Sequence, residues 1–178
     1  METAVTMRMN RRAITIAIEA SLTGHLVLST LHTNDAPSAV TRLTEMGVEP
    51  FLVSSSLAAV MAQRLARRLC VKCRHADHAT PAEMKILGVP YQDGDPLPVV
   101  YRPAGCSECS NTGYRGRVAI QQVMGVDDTI ESMIAKGANS LELEAAATKN
   151  GMTSLRSDGW RKVLLGITSV EEVLRVTV

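Results

Sequence analysis

Two pairs of cysteines carry the most specific chemical pattern in this sequence. Cys70 with Cys73, and Cys106 with Cys109, are each separated by two residues, and the 178 residues hold no other cysteine. Two such pairs can surround one tetrahedral Zn²⁺, because each tight turn supplies two thiolates. Buried thiols, a redox pair or disulfides are the alternatives, and two spaced pairs without extras favour zinc. Since protein would fill all four positions, the predicted role of the metal is structural.

A second polar cluster follows a short apolar run over residues 25–31. His32, Thr33, Asn34 and Asp35 come directly after this run. If the run is a buried parallel strand, these side chains lie at the strand end where α/β sheets bind ligands. A histidine there can sense a phosphate group or carry a proton near neutral pH. A capped turn with a hydrogen-bonded histidine fits the same spacing, so the residues alone leave both interpretations open.

Nucleotide-binding motifs are missing from the sequence. No G-x-x-x-x-G-K-[ST] occurs, and no acidic Walker B strand is evident. The sequence therefore lacks the backbone cradle and the lysine that hold Mg²⁺-nucleotide in P-loop proteins.

The elements that must position these residues alternate between strand and helix patterns. Apolar periodicity, turn residues and capping signals predict the following elements: helices over 13–22, 37–46, 51–69, 81–88, 127–136, 140–149, 153–165 and 169–175, and strands over 25–31 and 118–124. Asp35 is expected to cap the second helix, and capping boxes are predicted at Thr80 with Glu83 and at Ser169 with Glu172. This alternation predicts an α/β fold.

Composition narrows the classes of function. Hydrophobic residues make up 46% of the chain, enough to bury a core. The net charge of +1 and an aromatic content of 3% argue against binding to nucleic acid. No secretory signal and no run of 18 apolar residues is evident, so we expect a reducing, cytoplasmic location, where paired cysteines usually bind metal.

Three stretches resemble the secretion and type IV pilus assembly ATPases, the family of type II secretion protein E and the pilus extension motor. They are the segment ASLTGHLVLSTLHTND over residues 20–35, residues 62–70 with 112–117, and residues 151–176. Together the resemblance covers about residues 13–178. It implies a RecA-like motor that works as a homohexameric ring, binds ATP and Mg²⁺, and drives assembly of pilin or pseudopilin fibres.

The resemblance also assigns site residues. The family's His-box histidine corresponds to His32, and its upstream companion to His25. Arg42 lies in the same motif region, and we expect Arg42, Arg64 and Arg67 to contribute to the ATP site or the ring interface. The four cysteines correspond to the zinc subdomain of the secretion and pilus extension branch, which the retraction motors lack.

The family's Walker A motif, acidic box and Walker B motif all precede the His box, and none is present here. Residues 5–12 also do not follow the family pattern. We therefore interpret the chain as the C-terminal half of such a motor, a partial RecA-like P-loop NTPase core that is inactive alone. The predicted segments are a divergent N-terminal segment (1–12), the ATPase core with the His box (13–69), the tetracysteine zinc-binding subdomain (70–109), and a C-terminal strand and helical region (110–178).

The partners implied by the resemblance are the inner-membrane platform protein and the cytoplasmic-domain proteins of the machine, which would place the chain at the inner membrane through them. A stand-alone zinc-binding module for nucleic acid or protein is the alternative. It is motivated by a basic group near the first cysteine pair: Arg64, Arg67, Arg68, Lys72 and Arg74. Steep salt dependence of DNA or RNA binding would be required of such a module.

Overall fold

The computed structural model describes residues 5–8 and 11–177. The chain forms two compact units, each built from two separate stretches of sequence. The first unit contains the residues up to 62 together with 123–152, and the second contains 63–122 together with the residues from 153 onward. The boundaries of these units differ from those of the four segments predicted from the sequence. The four segments therefore stay a prediction about domain organisation.

The described elements alternate in type along the chain. The strands are β1 (Val5–Arg8), β2 (Val27–Thr30), β3 (Ala59–Leu69), β4 (His75–His78), β5 (Val99–Arg102) and β6 (Tyr114–Gly125). The helices are α1 (Arg11–Leu22), α2 (Pro37–Glu45), α3 (Pro50–Ser56), α4 (Pro81–Leu87), α5 (Asp128–Ala135), α6 (Ser140–Lys149), α7 (Leu155–Leu164) and α8 (Val170–Val176). The predicted α/β class is confirmed. Among the described residues, no helix combines the length and the apolar character that crossing a bilayer requires.

In the first unit, β1 and β2 pair in parallel, with Val5 opposite Val27. A parallel strand was predicted here, but its burial was not correctly predicted: Leu26 is 48% exposed and Leu28 is 52% exposed. Leu26 and Leu28 lie on the same face of the chain, and along β2 this face is exposed whereas Val27 and Ser29 on the other face are half-buried.

Helix α2 begins as the sequence predicts. The Asp35 carboxylate accepts a hydrogen bond from the Ser38 backbone N–H at 2.8 Å, and Pro37 occupies the first turn. Both features suit a helix N-terminus, because Asp35 satisfies a free N–H and proline has none to satisfy. The core of this unit combines α1, α2 and α3 with α5 and α6, through buried residues that include Ile14, Val40, Val53, Ile130 and Leu143.

The long helix predicted over residues 51–69 is wrong. Helix α3 ends at Ser56, and β3 follows after two residues. Over residues 59–66 the even-numbered positions are buried or half-buried and the odd-numbered positions are exposed, which is the two-residue period of a strand. Although alanine, leucine and arginine favour helices, pairing with β6 overrides that weak preference.

The two ends of the β3–β6 pair show its direction. The backbone N–H of Val126 donates to the Ala58 carbonyl at 3.0 Å, and that of Cys70 donates to the Gly113 carbonyl at 2.9 Å. The start of one strand therefore lies beside the end of the other, and the strands run in opposite directions.

In the second unit, the insert between the cysteine pairs contains the antiparallel strands β4 and β5, with His75 opposite Arg102. These two strands were not predicted. Helix α4 carries the predicted capping box of Thr80 and Glu83, and Gly88, which has φ = +71°, caps its C-terminus. Arg102 binds Glu83 at 2.6 Å and Asp77 at 3.0 Å, and thereby ties α4 to the β4–β5 pair.

The core of the second unit is closed by α7 and α8. Its buried residues come from β3, α4, β5, β6 and the last two helices: Ala66, Met84, Val100, Ile120, Val163, Val170 and Val173. The capping box predicted at Ser169 and Glu172 is only half formed. Ser169 Oγ accepts the Glu172 N–H at 3.4 Å, but the Glu172 side chain binds Arg67 and Arg175 instead of returning to the Ser169 backbone.

Candidate metal centre

Two tight turns position the four cysteines. Cys70 directly follows β3, and the N–H groups of Cys73 and Arg74 both donate to its carbonyl, at 3.2 and 2.9 Å. Cys106 precedes a single turn of 3₁₀ helix over Ser107–Cys109, and Cys109 ends it; Cys109 N–H donates to the Cys106 carbonyl at 3.2 Å. Each turn therefore presents two thiols on one side.

The four sulfur atoms converge on one point. All lie within 4.8 Å of one another, and the sulfur–sulfur distances are 3.9 Å for Cys70–Cys106, 3.9 Å for Cys73–Cys109 and 3.7 Å for Cys106–Cys109. A tetrahedral Zn²⁺ with Zn–S bonds of about 2.3 Å separates its sulfur ligands by about 3.8 Å. The arrangement therefore fits one tetrahedral zinc ion, and these four residues would hold it.

Backbone N–H groups point at the sulfur atoms. Gly105 N–H donates to Cys73 Sγ at 3.3 Å, while Cys109 Sγ accepts from Cys106 N–H at 3.3 Å and from Gly113 N–H at 3.2 Å. Burial raises the pKa of Cys109, but the N–H groups of Cys106 and Gly113 outweigh that effect and lower its pKa to about 6. Thiolate is the form that binds metal, so the backbone prepares this ligand.

Gly113 links the two cysteine pairs. Its N–H donates to Cys109 and its carbonyl accepts from Cys70 N–H. It has φ = +77°, and a Cβ atom at this position would lie 2.4 Å from Pro103 Cβ. Only glycine combines this left-handed backbone with so close an approach.

The strand that carries Cys70 is held by a buried carboxylate. Glu172 is 1% exposed, and it accepts hydrogen bonds from the Arg67 backbone N–H at 2.8 Å and from the Arg67 guanidinium at 2.7 Å. Arg175 donates two more, at 2.8 and 2.7 Å. Burial alone would raise the pKa of Glu172, but hydrogen bonds from Arg175 and Arg67 outweigh it and lower the pKa to about 2.

Two arginines near the first pair also contact aromatic rings. The Arg67 guanidinium lies 4.1 Å from the centre of the Tyr114 ring, and the Tyr114 hydroxyl is 2.8 Å from Ser169 Oγ. Arg74 lies 4.7 Å from the centre of the Tyr101 ring. The two arginine contacts are cation–π interactions, which join β3 to β6 and the first cysteine turn to β5. The hydrogen bond of Tyr114 joins β6 to the segment before α8.

The predicted His-box residues lie in the first unit. His25 and His32 are exposed and flank β2 at its two ends, so the structure does not bring them together. His25 Nδ1 is 3.1 Å from Thr23 Oγ1, and Arg42 on α2 forms an exposed ion pair with Glu45 at 3.1 Å. Their catalytic and nucleotide-binding roles stay predictions.

Arg64 is half-buried on β3, and Arg67 is engaged with Glu172 as described. Sequence reasoning missed Glu172 and Gly113 as supports of the metal centre. The sequence did contain a signal for Gly113, because this residue lies in a glycine-rich turn next to the second cysteine pair. Glu172 looked like an ordinary capping residue, and only the fold places it beside Arg67.

Comparison with known proteins assigns the chain to a family. The family model of the type II/IV secretion system protein matches residues 8–175. The type II secretion system protein E of Pseudomonas aeruginosa is 51% identical over 168 residues, which are 94% of this chain and 33% of that relative. The type IV pilus assembly ATPase PilB of Myxococcus xanthus is 49% identical over 160 residues, which are 89% of this chain and 28% of that relative.

Solved structures show a similar fold. The ATPase DotB of Yersinia pseudotuberculosis has a TM-score of 0.64 at 14% identity, covering 98% of this chain and 36% of that structure. The pilus retraction motor PilT with bound ADP has a TM-score of 0.62 at 16% identity, covering 97% and 39%. This chain thus spans about a third of the length of the proteins it matches, and it belongs to the type II/IV secretion system protein family.

Proposed function

We propose that this chain is the C-terminal part of an ATP-driven motor that powers type II secretion or type IV pilus assembly. The observation that carries the proposal is the family match over residues 8–175. Relatives from both the secretion and the pilus systems, with 51% and 49% sequence identity, support it. ATP hydrolysis with Mg²⁺ then needs Walker A and Walker B motifs, which these 178 residues do not contain.

Within this motor we propose different roles for the predicted site residues. His32 follows the end of β2, where it would approach the γ-phosphate, and His25 and Arg42 would support it. The ion pair of Arg67 with Glu172 and its contact with Tyr114 favour a structural role for that arginine. Arg64 keeps its proposed role at the ATP site or ring interface.

The proposed metal is one structural Zn²⁺ held by the four cysteines. The sulfur–sulfur distances near 3.8 Å support it. The metal would fix the ends of β3 and β6 and the insert between the cysteine pairs, which has few buried residues of its own. We further propose that the motor is a cytoplasmic homohexamer, attached to the inner membrane through a platform protein and cytoplasmic-domain proteins.

A hybrid protein tests the motor role. Residues 11–177 replace the matching region of type II secretion system protein E in a Pseudomonas aeruginosa strain that lacks its own copy, and secretion is measured. We expect the hybrid to restore secretion and His32→Ala to abolish it. His78→Ala, which changes another exposed histidine in β4, is the matched control and should secrete normally. A hybrid that accumulates in the cell without restoring secretion contradicts the proposal.

Turnover by the isolated chain tests the need for Walker motifs. We expect no ATP hydrolysis above the blank, because the 178-residue sequence contains no Walker A motif to form the phosphate cradle. Turnover well above the blank that His32→Ala removes would show that this chain hydrolyses ATP alone.

The alternative of a stand-alone binding module gains no specific support. Arg67 and Arg74, two of the five basic residues that motivated it, make contacts inside the second unit.

A further inference from the structure

The end of β3 is held on one edge by the segment that leads into α8. Leu69 N–H donates to the Ile167 carbonyl at 2.9 Å, and the Thr168 hydroxyl donates to the Arg67 carbonyl at 2.8 Å. Residues 166–172, here called the brace, therefore occupy the edge of β3 where another strand could pair. The strand that delivers the first cysteine is held between β6 and the brace.

Glu172 completes the brace. Its carboxylate accepts a hydrogen bond from the Arg67 backbone N–H, which lies on the same edge of β3 as the Leu69 N–H. It also accepts a hydrogen bond from the Arg67 guanidinium. Because Glu172 is almost fully buried, it needs these donors to keep its charge. The position of α8 therefore depends on the position of Arg67, three residues before Cys70.

A second connection starts from the cysteine turn itself. Arg74 follows Cys73, its N–H donates to the Cys70 carbonyl, and its guanidinium donates to the Gly166 carbonyl at the start of the brace. The same guanidinium lies over the Tyr101 ring. The turn that holds two metal ligands thus contacts the brace directly.

We propose that the four-cysteine metal site and helix α8 are thermodynamically coupled through the brace. Metal binding fixes Cys70 and Cys73, and through them the end of β3 and Arg74, which are the two parts that hold the brace. The coupling is reciprocal, so the Glu172–Arg67 contact strengthens metal binding in return. The proposed coupling requires the metal centre, but it does not require the chain to act as part of a motor.

Hydrogen exchange on the full chain tests the first half of the proposal. Backbone amides are followed by mass spectrometry in zinc-loaded protein and after zinc removal with a chelator. We expect exchange over residues 166–176 to rise about tenfold on zinc removal, while exchange in α5 and α6 of the first unit stays the same. Unchanged exchange over residues 166–176, alongside increased exchange over 70–73, overturns the proposal.

Zinc release tests the reciprocal half. Glu172→Gln removes the charge that binds Arg67, and we expect zinc transfer to a chromogenic chelator to accelerate about tenfold. Asp158→Asn is the matched control, since Asp158 also accepts a strand N–H, that of Gln121 on β6, and pairs with Lys162. We expect its release rate to stay within about twofold of wild type. Equal zinc release rates for the two variants overturn the proposal. If Glu172→Gln does not fold, the hydrogen exchange of the wild-type protein with and without zinc decides.

Discussion

Glu172 holds Arg67 across 105 residues of sequence, by the backbone N–H at 2.8 Å and by the guanidinium at 2.7 Å. The carboxylate is buried, whereas the Arg67 and Arg175 side chains that neutralise it are about half exposed. A single side chain thus secures both the edge of a strand and the start of a helix, and its loss should be measurable in several ways.

Replacing Glu172 by glutamine should destabilise the protein by about 2 kcal/mol at pH 7, because Arg67 and Arg175 lose a charged partner. The folded-state pKa of Glu172, about 2, lies below the unfolded value of about 4.3. The carboxylate therefore stabilises the fold above pH ~4.3, and this stabilisation is lost as the pH falls towards 2.

The measurement is urea unfolding of wild type and Glu172→Gln between pH 7 and pH 2.5, compared at matched zinc content. The difference in unfolding free energy should stay constant from pH 7 to 5 and shrink below pH ~4.3. A difference that grows as the pH falls would show that Glu172 is not ionised in the folded state.

Purified protein should contain about one zinc ion per chain, as measured by elemental analysis. Cys106→Ser should lose the ion, because three thiolates cannot complete the tetrahedral site, and residues 70–109 should lose protection from proteolysis. Ser107→Ala changes the neighbouring exposed residue and should keep its zinc. Freshly purified wild type without zinc would rule out the metal centre.

Gly113 and Gly116 form a matched pair, because they have nearly the same φ, +77° and +76°. Gly116→Ala should cost about 1 kcal/mol for the left-handed backbone alone, since its Cβ would enter open space. Gly113→Ala should cost about 2 kcal/mol more, because its Cβ would meet Pro103. Urea unfolding checks both values, and similar losses for the two variants would refute the contact with Pro103.

Gly159 lies inside α7 where α8 approaches closely. A Cβ at this position would lie 2.5 Å from Val173 Cγ1, so Gly159→Ala should be destabilising by about 1–2 kcal/mol despite the higher helix propensity of alanine. In a Val173→Ala background the same change should become neutral or stabilising, because the clash is gone. Thermal unfolding of the four proteins in this double-mutant cycle measures the difference.

Local signals predicted much of this structure. The capping residues Asp35 and Thr80 act on the helices expected of them, and the four cysteines meet as their spacing predicts. The helix caps depend on neighbours in sequence. The two cysteine pairs are separated by 32 residues, and they could be matched because one tetrahedral metal needs four ligands.

The two wrong predictions, a helix through residues 59–69 and a complete capping box at Glu172, both arise from contacts that are distant in sequence. Residues 59–69 contain good helix formers, and only pairing with β6, some 50 residues later, makes them a strand. Glu172 satisfies a local capping pattern, yet Arg67 outcompetes the Ser169 backbone for its carboxylate. In both cases a distant partner decides between two locally acceptable arrangements.

The interleaving of the two units affects how the protein can fold during synthesis. All residues of the first unit have been made once the ribosome passes Met152. The second unit, although its cysteines are made earlier, still lacks Val163, Val170 and Val173 of its core at that point. At about 5–20 residues per second, the four thiols emerge several seconds before α8. A nascent chain must therefore keep its cysteines reduced, or already loaded with metal, before the helix that secures them exists.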